Sequence, residues 1–543
     1  MDRRLALALL LSGLAVVVSS MLFRPTPRRS LPPSRVADTS RVVAASAPAI
    51  RQEAAPAVPT SQPLAADTVV VRTEKARYQF STLGAAPTSI SLHDYQALNR
   101  DSGDVRLIRD SVALVEFRLA SGRDTVSLTE TVFTVRMSRD TTVADTILFQ
   151  AATAAGDIAI RYHLERDGYL LGVDGHVPLG VSELIITLPR GLRSEEANVE
   201  DDRRYLAFAV KPVHGDARSI DFSKLDSAEQ RQEIGPLTWV ASKNKYFLVS
   251  LLTPGDSSRP FSRAYLTGAP RSGGAATTAD AHVVLPVEGG EFSFEIYAGP
   301  QEWRRLRALG RDMEHANPYG GFMKGVVQPF ATIVMRALLW MHDTLRLSYG
   351  WVLVIFGVAV RLILWPLNQR AMRSSLKMQA IQPEMAAIQK KHRNNPQKQQ
   401  EEMVRIYREH GMSPFSMFSG CLPMLIPMPV LFALFFVFQN TIEFRGVSFL
   451  WLADISLKDP YYILPLIMGA SMYLLSWIGM RNAPPNPQAK MMSYMFPVIM
   501  TVALLNMAAG LNLYYAVQNV AALPQQWLIA RERARLTTST VRR

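Results

Sequence analysis

The 543-residue sequence holds a single cysteine, Cys421. That excludes a disulfide-stapled scaffold and any multi-cysteine zinc or iron–sulfur site. The nine histidines show no metal-ligand spacing, so no metal is expected. No Gly-rich phosphate loop, His-Glu-x-x-His or Gly-x-Ser-x-Gly is present. Neither an enzyme nor a cofactor is therefore expected. Charge is scarce as well, at 19% of residues, against ~25% in ordinary soluble domains. What charge there is sums to +13. That balance points to an anionic partner: nucleic acid, phospholipid headgroups or acidic polypeptide.

The shortage of charge is uneven. Leu5 to Phe23 is an unbroken apolar run behind Arg3 and Arg4. It is longer than a signal-peptide core of ~7–15 residues and close to the ~20 a bilayer needs. No Ala-x-Ala follows, which favours an uncleaved anchor over 1–23 against a cleaved signal peptide. Residues 24–66 carry eight prolines and no aromatic residue. Such a stretch cannot bury enough surface to offset ordering entropy, and it reads as a disordered tether. From 67 to 310 the apolar period changes to two, as in Thr131–Met137, Ile158–Leu164 and Glu291–Tyr297. Turn-forming clusters separate the runs, so a large antiparallel β-sandwich is expected.

Five apolar runs follow: Tyr349–Leu367, Phe415–Phe438, Tyr461–Met480, Met492–Met507 and Gly510–Ala530. None contains Asp, Glu, Lys or His; the one charge among them is Arg361. Ahead of them, 320–345 has apolar residues at helical spacing and reads as an interfacial amphipathic helix. The loop Asn368–Pro414 has nine Lys/Arg against four acids, a net of +5; the tail 531–543 has five Arg and one Glu, a net of +4. The positive-inside rule makes both cytoplasmic. It follows that the β domain is outside and both termini are inside. The loop itself reads as a helical hairpin, 370–414, turning at Asn394-Asn395-Pro396.

Arg361 stands out. Insertion scales put an arginine at mid-membrane at roughly 2.5–3.5 kcal/mol, so such residues usually face a wet cavity. It lies about 9 Å from the cytoplasmic end of its run, within partial reach of snorkelling. No span offers it a carboxylate. Asn512, Tyr515 and Asn519 recur at helical spacing, with Tyr514 and Gln518 beside them, and a polar groove open to the cytoplasm accommodates all of these.

Several motifs resemble the YidC family of membrane protein insertases in its Gram-negative form. They include Arg361 with Trp365-Pro-Leu367, Lys377-Met-Gln-Ala-Ile-Gln-Pro383 and Gly420-Cys-Leu-Pro423 with Met428-Pro429. Asp459-Pro-Tyr-Tyr-Ile-Leu-Pro465 and Gly510-Leu-Asn-Leu-Tyr-Tyr515 continue the match. Pro427 departs from it, standing where a glutamine is usual, and Ser413 stands where asparagine is usual.

The resemblance implies six spans: the anchor plus a five-helix core over 346–530, with a periplasmic β-supersandwich. It implies a substrate groove with Arg361 and the pair Tyr514 and Tyr515, to which the polar residues noted above add Asn512, Gln518 and Asn519. It also implies a hydrophobic slide along Leu431, Phe432, Phe435, Phe496 and Met500. The hairpin residues Lys377, Glu384, Lys390, Lys391, Arg405 and Tyr407 become candidate contacts for partners. The expected partners are nascent membrane proteins and the Sec translocon, with the ribosome and anionic phospholipids as candidates for the basic pieces; sequence-specific nucleic-acid reading is not expected. The expected place is the inner membrane of a Gram-negative-type bacterium. A transporter or channel with an external binding domain is the alternative, and a membrane-anchored periplasmic binding module is a third class.

Overall fold

The computed structural model describes residues 67–541, apart from 100–102, 109–111, 140–143, 154–155, 228, 256–258, 270–276, 318–323, 371–380, 394, 410–427 and 482–486. The expected anchor and tether lie outside the described residues, as do Lys377, Cys421 and Pro427.

The period-two segments form strands. The three runs singled out above become Thr134–Arg139, Gly156–Glu165 and Glu291–Pro300. Along Gly156–Glu165 the residues Ile158, Ile160, Tyr162 and Leu164 point inward while their neighbours face out. The strands pair antiparallel into a four-stranded sheet and a fourteen-stranded one. The small sheet turns Val71, Tyr78, Phe80, Ile90 and Leu92 inward. The Phe80 ring lies 4.9 Å from that of Tyr162 and 6.0 Å from that of Phe149, both on the large sheet. Tyr162 donates its hydroxyl to the Ala85 carbonyl at 2.7 Å. The two sheets thus face each other across one aromatic core, a sandwich-like arrangement.

Strand Phe247–Leu252 is buried at every position, and its one polar residue, Ser250, donates its hydroxyl to the Val240 carbonyl at 3.4 Å. Beside it, Trp239 is fully buried and donates its indole N–H to the Arg311 carbonyl at 2.9 Å. Met313 and Ala316 belong to the same core, so packing extends past residue 310.

The rest is helical. Short α1 (Val199–Arg203) and α2 (Trp303–Ala308) belong to the β half. Then come α3 (Lys324–Leu345), α4 (Tyr349–Ile363), α5 (Gln382–Lys391), α6 (Pro396–Glu409) and α7 (Met428–Asn440). The last three are α8 (Ile463–Met480), α9 (Pro487–Leu504) and α10 (Ala509–Val541). Helix α10 packs on α4 and α8, and α7 packs on α3.

Three details depart from expectation. Helix α10 does not stop at Ala530 but runs to Val541, so residues 531–541 are not a separate tail. The stretch after Pro524 contains neither Gly nor Pro and has Arg, Ala and Leu, which propagate a helix. Helix α3 is apolar on more than one face: Val327, Val334 and Leu338 are buried while Ile333 and Trp340 are both 64% exposed. Span lengths also differ. Among the described residues α8 alone is long and apolar enough to cross a bilayer, while 327–345 with 349–363 meets that test as a pair bent by 119°.

Asp459 explains the start of α8. It is fully buried, and its carboxylate accepts from the Leu464 N–H at 2.7 Å, the Tyr461 N–H at 3.0 Å and the Trp451 indole at 3.2 Å. A carboxylate there satisfies orphan donors and complements the helix dipole.

Candidate functional site

Arg361 occupies the last turn of α4, facing α10. It is half-buried. Its guanidinium donates to the side-chain carbonyl of Gln525 at 2.9 Å. Gln525 is fully buried, and its amide donates to the Trp365 carbonyl at 3.1 Å and to the Gln369 side chain at 3.3 Å. The Arg361 Nε is closed to solvent without a partner. Among the described residues no carboxylate pairs with this arginine, so a neutral amide orients a full positive charge without neutralising it.

One turn before Arg361 on α4, the Gly357 carbonyl accepts from Gln518 at 2.8 Å, and Gln518 also donates to the Tyr514 hydroxyl at 2.9 Å. A Cβ on Gly357 would approach Val517 to 3.0 Å, so a glycine there keeps α4 and α10 close. Tyr514 is buried, with its ring 6.1 Å from Phe356 and 6.4 Å from Phe438. The residues α10 turns toward α4 are therefore Tyr514, Gln518 and Gln525, at spacings of four and seven.

The other expected groove residues go elsewhere. Asn512 is buried and donates to the Leu504 and Ala508 carbonyls at 3.1 and 3.5 Å, tying off the turn between α9 and α10. Asn519 donates to the Ser471 hydroxyl at 3.2 Å and the Met468 carbonyl at 3.4 Å, joining α10 to α8. Tyr515 is half-buried beside Tyr514. Gln525 is not among the groove residues that the sequence suggests. Its signal was there: it lies two helical turns beyond Gln518, next to Pro524.

Of the expected slide, Phe432, Phe435 and Met500 pack partly buried against the helical core, and Phe496 is 39% exposed. Leu431 lies on α7. In the hairpin, Ile381, Met385 and Ile388 pack on Ile406, holding α5 to α6. Arg405 pairs with Glu402 at 2.8 Å and Glu409 at 3.3 Å. Glu384, Lys390 and Lys391 are exposed on α5, and Tyr407 lies on α6.

A second polar cluster joins the two halves. Arg445, after α7, pairs with Glu196 of the β half at 2.8 Å, with both side chains nearly inaccessible. Burial pushes the Glu196 carboxyl up to about 7 despite the Arg445 charge beside it. Glu443 accepts from the Trp303 N–H at 3.3 Å, while its second oxygen is buried without a partner. Burial lifts it to about 7 as well. Ile442 enters the β-domain core between them. Sequence reading missed this junction, because none of these residues sits in a recognisable pattern.

Comparison with known proteins gives concordant matches. A family described as 60Kd inner membrane protein matches residues 340–536, and one described as YidC periplasmic domain matches 68–333. Membrane protein insertase YidC of Chlorobium phaeovibrioides is 32% identical over 397 residues, 69% of this chain and 66% of that protein. Its counterpart in Prosthecochloris aestuarii is 30% identical over 478 residues, 83% of this chain and 80% of that one. The chain thus spans about two thirds of the first relative's length and four fifths of the second's. A solved structure described as active YidC insertase with the first transmembrane domain resolved is 20% identical, with a TM-score of 0.34, covering 85% of this chain and 92% of that one. A galactose mutarotase-like protein from Lactobacillus casei is 9% identical, with a TM-score of 0.30, covering 43% of this chain and all of that one. With both halves matched in order, and a relative matched at 30% identity over four fifths of its length, the chain belongs to the YidC family of membrane protein insertases.

Proposed function

We propose that this protein inserts nascent membrane proteins into the inner membrane without an energy source of its own. The observation that carries the reading is the Arg361 guanidinium: half-buried between apolar helices, aimed by Gln525, and uncompensated by any described carboxylate. Burying an apolar helix is strongly favourable, at about 25 cal/mol per Å². The obstacle is its polar flank, because one carboxylate at mid-membrane costs roughly 2.5–3.5 kcal/mol. An opposite charge at 4 Å returns about 4 kcal/mol at an effective dielectric of 20. The two magnitudes are close, so an acidic flank is drawn in without being trapped.

In this reading six spans, the 1–23 anchor and five core helices, hold a groove open to the cytoplasm. Tyr514, Tyr515 and Gln518 line it beside Arg361, while Asn512 and Asn519 tie the helix that carries them to α9 and α8. The substrate helix leaves along Leu431, Phe432, Phe435, Phe496 and Met500. The β domain is periplasmic and both termini are cytoplasmic. The hairpin 370–414 and the basic end of α10 meet the ribosome, the Sec translocon or anionic headgroups.

The test is insertion of single-span substrates with acidic outer tails. Arg361→Ala is expected to impair it and Arg361→Lys to preserve it in part. Unchanged insertion by the Ala variant overturns the groove-charge mechanism.

A further inference from the structure

The four-stranded sheet, Thr68–Arg72, Ala76–Ser81, Ala86–Gln96 and Asp104–Arg106, has an outer face that the function above does not use. Its register sets Arg72 opposite Arg77, Arg77 opposite Ser91 and Ser91 opposite Arg106. Residues directly opposite share a face, so one straight row across four strands reads Arg, Arg, Ser, Arg. Burial agrees: the neighbours Val71, Ala76, Tyr78, Ile90, Leu92 and Val105 point into the core, and the row points out.

Two arginines directly opposite each other repel, which a merely structural surface avoids. The nearby acids do not relieve them. Asp104 is held by His93 at 2.7 Å and by Gln96 at 3.2 Å. Glu195 is 2.6 Å from Arg193 and 3.7 Å from Arg106. Among the described residues, neither Arg72 nor Arg77 has an acidic partner, and the Arg77 Nε is shut from solvent with no acceptor. The row lines an open depression of about 480 Å³, which Thr73, His93 and Asp104 also line, the Asp104 carboxylate being engaged by His93 and Gln96. That space exceeds what a single inorganic ion fills.

We propose that this depression binds a phosphate-bearing ligand, a phosphate mono- or diester, through Arg72 and Arg77, with Arg106 reaching its far side. Guanidinium forks match phosphate oxygens in pairs, and adjacent forks suit a tetrahedral anion with several acceptors. Strands lie about 4.8 Å apart, so Arg72 and Arg77 reach the same group. The residues lining the depression are polar or charged, which suits an anion rather than an apolar segment. A lipid headgroup and a soluble phosphate compound present the same chemistry.

The experiment uses the full-length chain in phosphatidylcholine nanodiscs. Inorganic phosphate and glycerophosphoglycerol are titrated separately by calorimetry. A saturable event is expected, weakened roughly tenfold or more by Arg77→Gln and lowered by added salt. Arg136→Gln, at an exposed arginine on strand Thr134–Arg139, is expected to leave it unchanged. Repeating the titration with part of the lipid replaced by phosphatidylglycerol separates the sources. Weaker apparent binding there makes the headgroup the occupant; unchanged binding makes it a soluble compound. Should Arg77→Gln fail to fold, Arg72→Gln at the exposed strand end decides. No saturable event with either probe, parental binding by the arginine variants, or tighter binding of an acidic peptide than of both phosphate probes overturns the proposal.

Discussion

The two halves of this molecule share an apolar core but differ in what they leave on the surface. In the β half the core is closed, with Trp239, Tyr162 and Phe80 fully buried, and many of its charges are paired, as in Arg263–Glu183 and Arg311–Glu295, with the Arg72–Arg77 row as the exception. In the helical half Leu362, Ile363, Leu466, Met492 and Val498 are left largely uncovered, while Asn512, Gln525 and part of Arg361 are turned inward. In water such residues are exposed singly, as Leu179 and Ile234 are in the β half, whereas a whole set of uncovered apolar side chains along several helices suits helices facing lipid. Both halves keep an apolar core, and the difference lies at the surface: the helical half leaves far more apolar area uncovered. The junction at Glu196, Glu443 and Arg445 is where the two regimes meet.

The contrast can be broken at its strongest point first. If the β half is held by dry packing, Trp239→Ala is expected to cost about 3–5 kcal/mol. Chemical denaturation of the full chain, followed by the β-sheet signal in far-ultraviolet circular dichroism, measures it; a loss below about 1 kcal/mol removes the packing account.

The junction gives the next effect. Glu443 has its carboxyl raised from 4.5 to about 7 by burial, so the folded state holds this proton more tightly than the unfolded chain. Its contribution is complete below pH 4.5 and is lost as pH rises through 7. Above pH 7 the ionised form therefore costs stability, up to about 3 kcal/mol. Glu443→Gln is expected to stabilise at pH 8 and to converge with the parent toward pH 4.5. Parallel melting profiles across that range contradict this. The smallest effect is at Gln525: Gln525→Leu strands the Arg361 guanidinium and is expected to cost roughly 1–3 kcal/mol. Unaltered thermal stability would show that water already serves that arginine.

Much of the layout was legible along the chain. Period-two runs located strands within a few residues, because one face of each is buried and the side-chain repeat in a strand is fixed at two. The hairpin turn at Asn395-Pro396 separated α5 from α6 where expected, since proline opens a helix well and continues one badly. Arg361 was visible as the lone charge in an apolar run. Its partner was not. Asn512, Tyr515 and Asn519 share a periodicity, yet the structure sends Asn512 to α9, Asn519 to α8 and gives Arg361 to Gln525. Periodicity states which residues lie on one side of a helix, not which neighbour stands there. Nor could spacing reveal the row Arg72, Arg77, Ser91 and Arg106, which strand register alone assembles.

By itself, then, the sequence determined which stretches avoid water, which alternate, and where the unpaired charge falls. These are local matters of hydrophobicity and backbone period, and they suffice to separate a strand-rich half from a helical one. Only the tertiary structure decided that a glutamine 164 residues away holds Arg361, that Ile442 enters the β core, and that Glu196 meets Arg445 across 249 residues. Long-range pairs are selected by packing geometry, and that geometry exists only once the helices and sheets have docked.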